Sequence, residues 1–146
     1  DNFIGKKINF CQENKSKSIK NVFRGLHYQL PPNEQTKLVS VIEGKIIDVI
    51  VDLRINSETF KNFLCVEISN VNKKQLFIPN GFAHGFLVLS DIAIISYKVD
   101  SFYNKKYERI LNPLDPEIGL NLDLKNKLMS DKDKSAPFLN KIEFFK

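Results

Sequence analysis

Tryptophan is absent from this chain of 146 residues, and cysteine, histidine and methionine are scarce, at two, two and one. Each scarcity excludes something. Cys11 and Cys65 are too far apart for a zinc motif and too few for a disulfide framework, so both read as reduced thiols packed as small hydrophobes. The two histidines, His27 and His84, offer neither His-x-His nor His-x-x-x-His spacing, which argues against the clustered ligand set of a metal-dependent barrel. Six glycines make neither a Gly-x-Gly-x-x-Gly loop nor a Walker loop, so an anionic ligand must be held by side chains. A Gly-x-Ser-x-Gly elbow is also missing, which leaves serine hydrolase chemistry without support. No uncharged apolar run approaches the roughly 18 residues of a membrane span, and the opening DNFIGKKINF lacks the apolar centre of a secretory leader. A cytoplasmic protein with no membrane partner is expected.

What the chain does have is strand-forming material. Twelve phenylalanines accompany abundant Ile and Val, with 42% hydrophobic and 27% charged residues, a balance suited to one compact domain over residues 1–146. The pattern predicts strands over 22–29, 36–43, 45–54, 63–69, 74–78, 82–89 and 92–99. Gly44 hinges the second and third, and the last two pair across Ser90-Asp91. Ile47, Val49, Val51 and Leu53 alternate with Ile46, Asp48, Ile50 and Asp52, and the two aspartates are placed on the solvent face, with Asp48 as an alternative buried charge partner. Turn signals about every ten residues, with no helix between them, point to an antiparallel sandwich or barrel. Residues 121–133 read as a short helix, and Phe138, Leu139, Ile142 and Phe144 as a closing segment packed on the barrel. The net charge is +5, but its lysines sit in turns such as Gly5-Lys6-Lys7, Asn72-Lys73-Lys74 and Asn104-Lys105-Lys106. That scatter favours an anionic small molecule over a nucleic-acid partner.

Histidine titrates near neutral pH and suits proton transfer, and both histidines lie in Gly-flanked aromatic settings. Read singly, each is an ordinary structural histidine. Lys37 shares a strand face with Val39 and Val41, and Tyr97 with Ala93 and Ile95. If those faces point inward, each polar head needs a partner. Otherwise Lys37 snorkels at its strand end and Tyr97 fills core space.

These segments occur together and in order: Phe23-Arg24-Gly25-Leu26-His27-Tyr28-Gln29, Gln35-Thr36-Lys37-Leu38-Val39, Asp48-Val49-Ile50-Val51-Asp52-Leu53-Arg54, Ile78-Pro79-Asn80-Gly81-Phe82-Ala83-His84-Gly85-Phe86, Tyr97-Lys98 and Ser130-Asp131-Lys132-Asp133. The series closely resembles the dTDP-4-dehydrorhamnose 3,5-epimerase family from about Phe10 to Asp133. The resemblance implies an all-β cupin jelly roll with a short C-terminal helical segment. It implies a homodimer that inverts C3 and C5 of a nucleotide-linked 4-keto-6-deoxy sugar, in rhamnose-type polysaccharide precursor synthesis, with no cofactor and no metal. His27 then corresponds to the general base, Tyr97 to the proton donor of the opposite face, Asp133 to the acid paired with the base, and Lys37 to the stabiliser of the enolate oxygen. Gln12, Asn14, Arg24, His84, Glu108 and Lys132 match substrate-contacting positions, and Tyr103 an aromatic beside the nucleotide. Family members carry a further N-terminal stretch ahead of the residues matched here. An epimerase of one centre only, a non-catalytic sugar-binding cupin and a metal-dependent cupin are the other readings. Strict alternation sets Arg24 and His27 on opposite faces, so a shared pocket requires a bulge at Gly25 or a second subunit.

Overall fold

A computed structural model describes residues 7–146, so the Gly5-Lys6-Lys7 turn begins outside the described part. The strands are β1 (Gln12–Ile19), β2 (Phe23–Gln29), β3 (Lys37–Glu43), β4 (Lys45–Asp52), β5 (Phe63–Ser69), β6 (Gln75–Ile78), β7 (Phe82–Val88), β8 (Ile92–Val99) and β9 (Glu108–Ile110). They form a four-stranded sheet in the order β1-β8-β3-β6 and a five-stranded sheet in the order β5-β4-β7-β2-β9. All the strand pairs are antiparallel. Among the first eight strands only β4 and β5 are sequence neighbours that pair. Every other connection carries the chain from one sheet to the other, which is the jelly-roll winding of a cupin.

That winding corrects the hairpin expected across Ser90-Asp91. β7 pairs with β4 and β2, β8 pairs with β1 and β3, and the turn between them crosses between sheets. Gly44 does hinge two strands, and again they belong to different sheets; its φ of 83° is one that L side chains rarely adopt. The helix expected over 121–133 shrinks to α1 (Asp131–Lys134), followed by a 3₁₀ turn at Leu139–Lys141. The reason lies in Leu128, whose backbone is claimed by the start of β2: its N–H donates to Asn21 O at 2.8 Å and its carbonyl accepts from Phe23 N at 2.9 Å. Those bonds hold residue 128 in an extended bridge with Val22.

Two apolar clusters stabilise the sandwich. Val39, Ile46, Ile50, Ile68, Phe86, Ala93 and Ile95 fill the space between the sheets. Phe23, Leu26, Val49, Val51, Leu87, Leu111, Leu124, Leu139 and Phe145 form the second, where the C-terminal segment covers the outer face of the five-stranded sheet. Leu139 and Phe145 are buried there, with Ile142 and Phe144 packed beside them, while Phe138 stays exposed. β4 is therefore covered on both faces. Asp48 and Asp52 sit on its inter-sheet side and are 0% and 1% exposed, which overturns their solvent-face placement and leaves the buried alternative for Asp48.

Candidate active site

Beyond the apolar inter-sheet core, the same strands turn polar. On β3 the inward row runs from Val41 and Val39 to Lys37, on β8 from Ala93 and Ile95 to Tyr97, and on β1 it includes Asn14 and Gln12. A cavity of about 280 Å³ opens there, lined by Gln12, Asn14, His27, Lys37, Tyr97, Tyr103 and Glu108, all anticipated from the sequence. Tyr28, Gln29 and Gln35 also line it and were not anticipated. Gln29 is almost fully buried, and its amide donates to Asn33 O at 2.6 Å and accepts from Asn104 N at 2.7 Å, pinning the segment that carries Tyr103.

β2 aims the histidine by an irregularity. Arg24 is opposite Phe86 and His27 is opposite His84, so three steps on β2 match two on β7. This is a bulge, and it brings Arg24 and His27 to the same face within one subunit. Gly25 makes it possible: its φ is 121°, and a Cβ there would lie 2.6 Å from Gly85 Cα and 2.7 Å from His84 O.

Asp133, on α1, holds both the bulge and the His27 ring. Its Oδ1 lies 2.7 Å from His27 Nε2, and its Oδ2 accepts from Gly25 N at 3.2 Å. The Ser130 hydroxyl caps α1 by accepting from Asp133 N at 3.1 Å. Burial alone would raise the Asp133 carboxyl, but the hydrogen bond and charge of His27 and the Gly25 amide outweigh it and hold the group below its usual value. With Nε2 committed to a carboxylate, the neutral imidazole carries its lone pair on Nδ1, the nitrogen left for a substrate proton.

Lys37 is 7% exposed, and burial pushes its ammonium down to about 8 against the pull of the Asp48 and Glu108 carboxylates. Burial raises the Tyr97 phenol, with Arg24 opposing, so this side chain stays protonated at neutral pH. At the rim, Glu108 Oε2 accepts from Lys132 Nζ at 2.8 Å and from Tyr103 Oη at 3.1 Å. Burial would raise Glu108, and Lys132 with Tyr103 brings it below its usual value.

Four anticipated residues lie outside this cavity. Arg24, Lys132 and Asp133 line a neighbouring recess of about 320 Å³ that shares His27 as a wall. Arg24 Nε donates to Ser18 Oγ at 3.0 Å. His84, 8% exposed, stands behind the cavity with its Nε2 at 2.5 Å from Asp48 Oδ1. Among the described residues no three His, Cys, Asp or Glu side chains gather as metal ligands would.

A histidine held by a carboxylate, a buried lysine and a protonated phenol, set around one polar cavity in a jelly roll, are the groups an acid–base cupin isomerase requires. The family model described as dTDP-4-dehydrorhamnose 3,5-epimerase matches residues 2–141. The dTDP-4-dehydrorhamnose 3,5-epimerase of Shigella flexneri is 50% identical over 130 residues, which cover 89% of this chain and 72% of that protein. The crystal structure of the Legionella pneumophila dTDP-6-deoxy-D-glucose-3,5-epimerase with dTDP-4-keto-L-rhamnose superposes with a TM-score of 0.90 at 43% identity, covering 96% of this chain and 74% of that one. A dTDP-4-dehydrorhamnose 3-epimerase from Streptomyces niveus is 32% identical, over 93% of this chain and 66% of that protein. The chain belongs to the dTDP-4-dehydrorhamnose 3,5-epimerase family and is a carbohydrate epimerase.

Proposed function

We propose that the chain inverts C3 and C5 of dTDP-4-dehydro-6-deoxyglucose, giving dTDP-4-dehydrorhamnose, with His27 as base, Lys37 at the enolate oxygen and Tyr97 as the acid of the far face. The observation that carries this is the meeting of His27, held from behind by Asp133, with Lys37 and Tyr97 on one cavity. A C4 ketone acidifies the C–H bonds on either side, because the electron pair left behind spreads onto oxygen. His27 Nδ1 takes the proton, and the Lys37 ammonium stabilises the oxyanion by about 3–4 kcal/mol in a site shielded from water. Tyr97 then donates its proton to carbon from the opposite face, which inverts the centre; return from the same face would regenerate substrate. Imidazolium and phenolate reset by exchange with solvent. Asp133 stabilises the imidazolium and fixes its tautomer.

Gln12, Asn14 and Glu108 in the cavity, with Arg24 and Lys132 from the neighbouring recess, hold the sugar and its diphosphate, His84 supports the wall from behind, and Tyr103, 55% exposed at the rim, packs beside the base. A homodimer accords with Ile19, Ile42 and Ile92, which stand exposed on the outer side of the four-stranded sheet. A nucleotide-activated substrate suits a cytoplasmic setting.

The test is NMR of the protein with dTDP-4-dehydro-6-deoxyglucose in deuterated water. Label at both C3 and C5 is expected, with His27→Asn slowing it by about 10²–10⁴. Unchanged turnover in His27→Asn would sink the mechanism. Label at C3 alone would make the chain a single-centre epimerase, the reading that its 32% identity to the Streptomyces niveus 3-epimerase supports.

A further inference from the structure

The least expected group in the molecule is Asp48. It is 0% exposed, on the inter-sheet face of β4 between Ile46 and Ile50. Oδ1 is 2.5 Å from His84 Nε2, and Oδ2, equally buried, has no hydrogen-bond partner among the described residues. A buried carboxylate oxygen left so costs roughly 1–3 kcal/mol or more, so its retention calls for an explanation. Lys37 lies across the sandwich, buried, with no direct ion pair between the two. We propose that Asp48 is a positioning residue for the proton-transfer chemistry: one oxygen fixes the ring of His84, and the field of the carboxylate, whose other oxygen has no partner among the described residues, keeps the Lys37 ammonium charged in the enolate site. The inference rests on the role given to Lys37 above.

The surroundings single out Asp48 for this. The titratable groups around Lys37 are Asp48 from β4, His84 from β7, His27 and Tyr28 from β2, Tyr97 from β8, Glu108 from β9 and Tyr103 before it; β6 presents only Ile78 in register. Burial drives Lys37 towards its neutral form, and of the two carboxylates that resist, Asp48 acts more strongly than Glu108. Glu108 is moreover engaged by Lys132 and Tyr103. The arrangement is electrostatic: an oxygen bonded to the ammonium would take one of its three N–H donors, whereas a charge held back leaves all three free for the substrate.

Asp48→Asn keeps the shape and the acceptor for His84 while removing the charge. The alkaline limb of kcat/KM, about pH 8 in the unaltered protein if Lys37 sets it, is expected to move down by about one pH unit. Titration of the Lys37 ε-carbon by NMR should move alike, independently of turnover. His84→Gln retains the Asp48 charge, so its limb must stay within a few tenths of a unit of the parent whether or not Asp48→Asn folds. An unmoved limb and an unmoved Lys37 titration in Asp48→Asn, or equal shifts in both variants, overturn the proposal. An unaltered protein that exchanges no substrate deuterium fails the epimerase reading instead, and the ε-carbon titration then still decides whether Asp48 holds Lys37 charged.

Discussion

Replacing Lys37 with methionine should stabilise the fold while disabling the site. In the folded chain the ammonium is buried and its pKa falls from 10.5 to about 8. At about 1.4 kcal/mol per pH unit, the charged form costs folding on the order of 3 kcal/mol at neutral pH. Methionine has similar length and no charge to desolvate. That figure already contains the attraction of Asp48 and Glu108 for the ammonium. The net expectation is a gain of about 3 kcal/mol, or roughly 6–12 °C in Tm for a domain of this size. The sign of the pH dependence is fixed. A lysine with a depressed folded pKa weakens the fold fully below about pH 8, and the penalty fades as pH rises towards 10.5. Urea unfolding of Lys37→Met and the parent at pH 6.5 and pH 9.5 therefore gives a difference that is large at the first pH and shrinks at the second. Deuterium exchange into substrate falls by about 10²–10³. A variant that is less stable at pH 6.5, or a difference that does not change with pH, would refute the reasoning.

Three further outcomes follow from the geometry. Asp52 accepts from Arg54 Nε at 2.9 Å, from Ser57 Oγ at 2.6 Å and from Thr59 Oγ1 at 2.7 Å; although burial would raise it, these bonds hold its carboxyl well below the carboxylate range. Asp52→Asn should cost about 3 kcal/mol in urea unfolding at pH 7, and the loss should vanish as pH falls through the acid range, where the native carboxylate protonates. Gly25→Ala should unfold the bulge: the φ of 121° and the 2.6 Å approach to Gly85 Cα allow no methyl, so soluble yield and Tm drop and exchange into substrate is lost. Tyr103→Ala should raise KM for the nucleotide sugar about tenfold with kcat little changed, because the side chain sits at the rim away from the proton-transfer groups.

The strands were legible in the sequence where one of two conditions held: alternation, as along β3 and β8, or an apolar run closed by turn residues, as at β5, β6 and β7. β1 escaped because both of its faces are polar: Glu13, Lys15 and Lys17 face outward, and Gln12, Asn14, Ser16 and Ser18 face inward, the first two lining the cavity. β9, of three residues, is too short to carry a period.

The candidate residues were legible as ordered motifs through the family resemblance, and proton transfer beside a ketone, the chemistry proposed for them, restricts residue type. How those residues meet was not. Sequence alone determined which segments are extended, and it named His27, Lys37, Tyr97 and Asp133. Only the tertiary structure decided that successive strands alternate between sheets, that a bulge at Gly25 turns Arg24 and His27 to one side, and that Asp48 is buried behind Lys37. β4 shows the physical reason. Apolar residues occupy both of its rows because the C-terminal segment covers one face and the opposing sheet the other, so its pattern could not say where its aspartates point. Local periodicity reports whether a face is buried; which partner buries it is settled by contacts far apart in the chain.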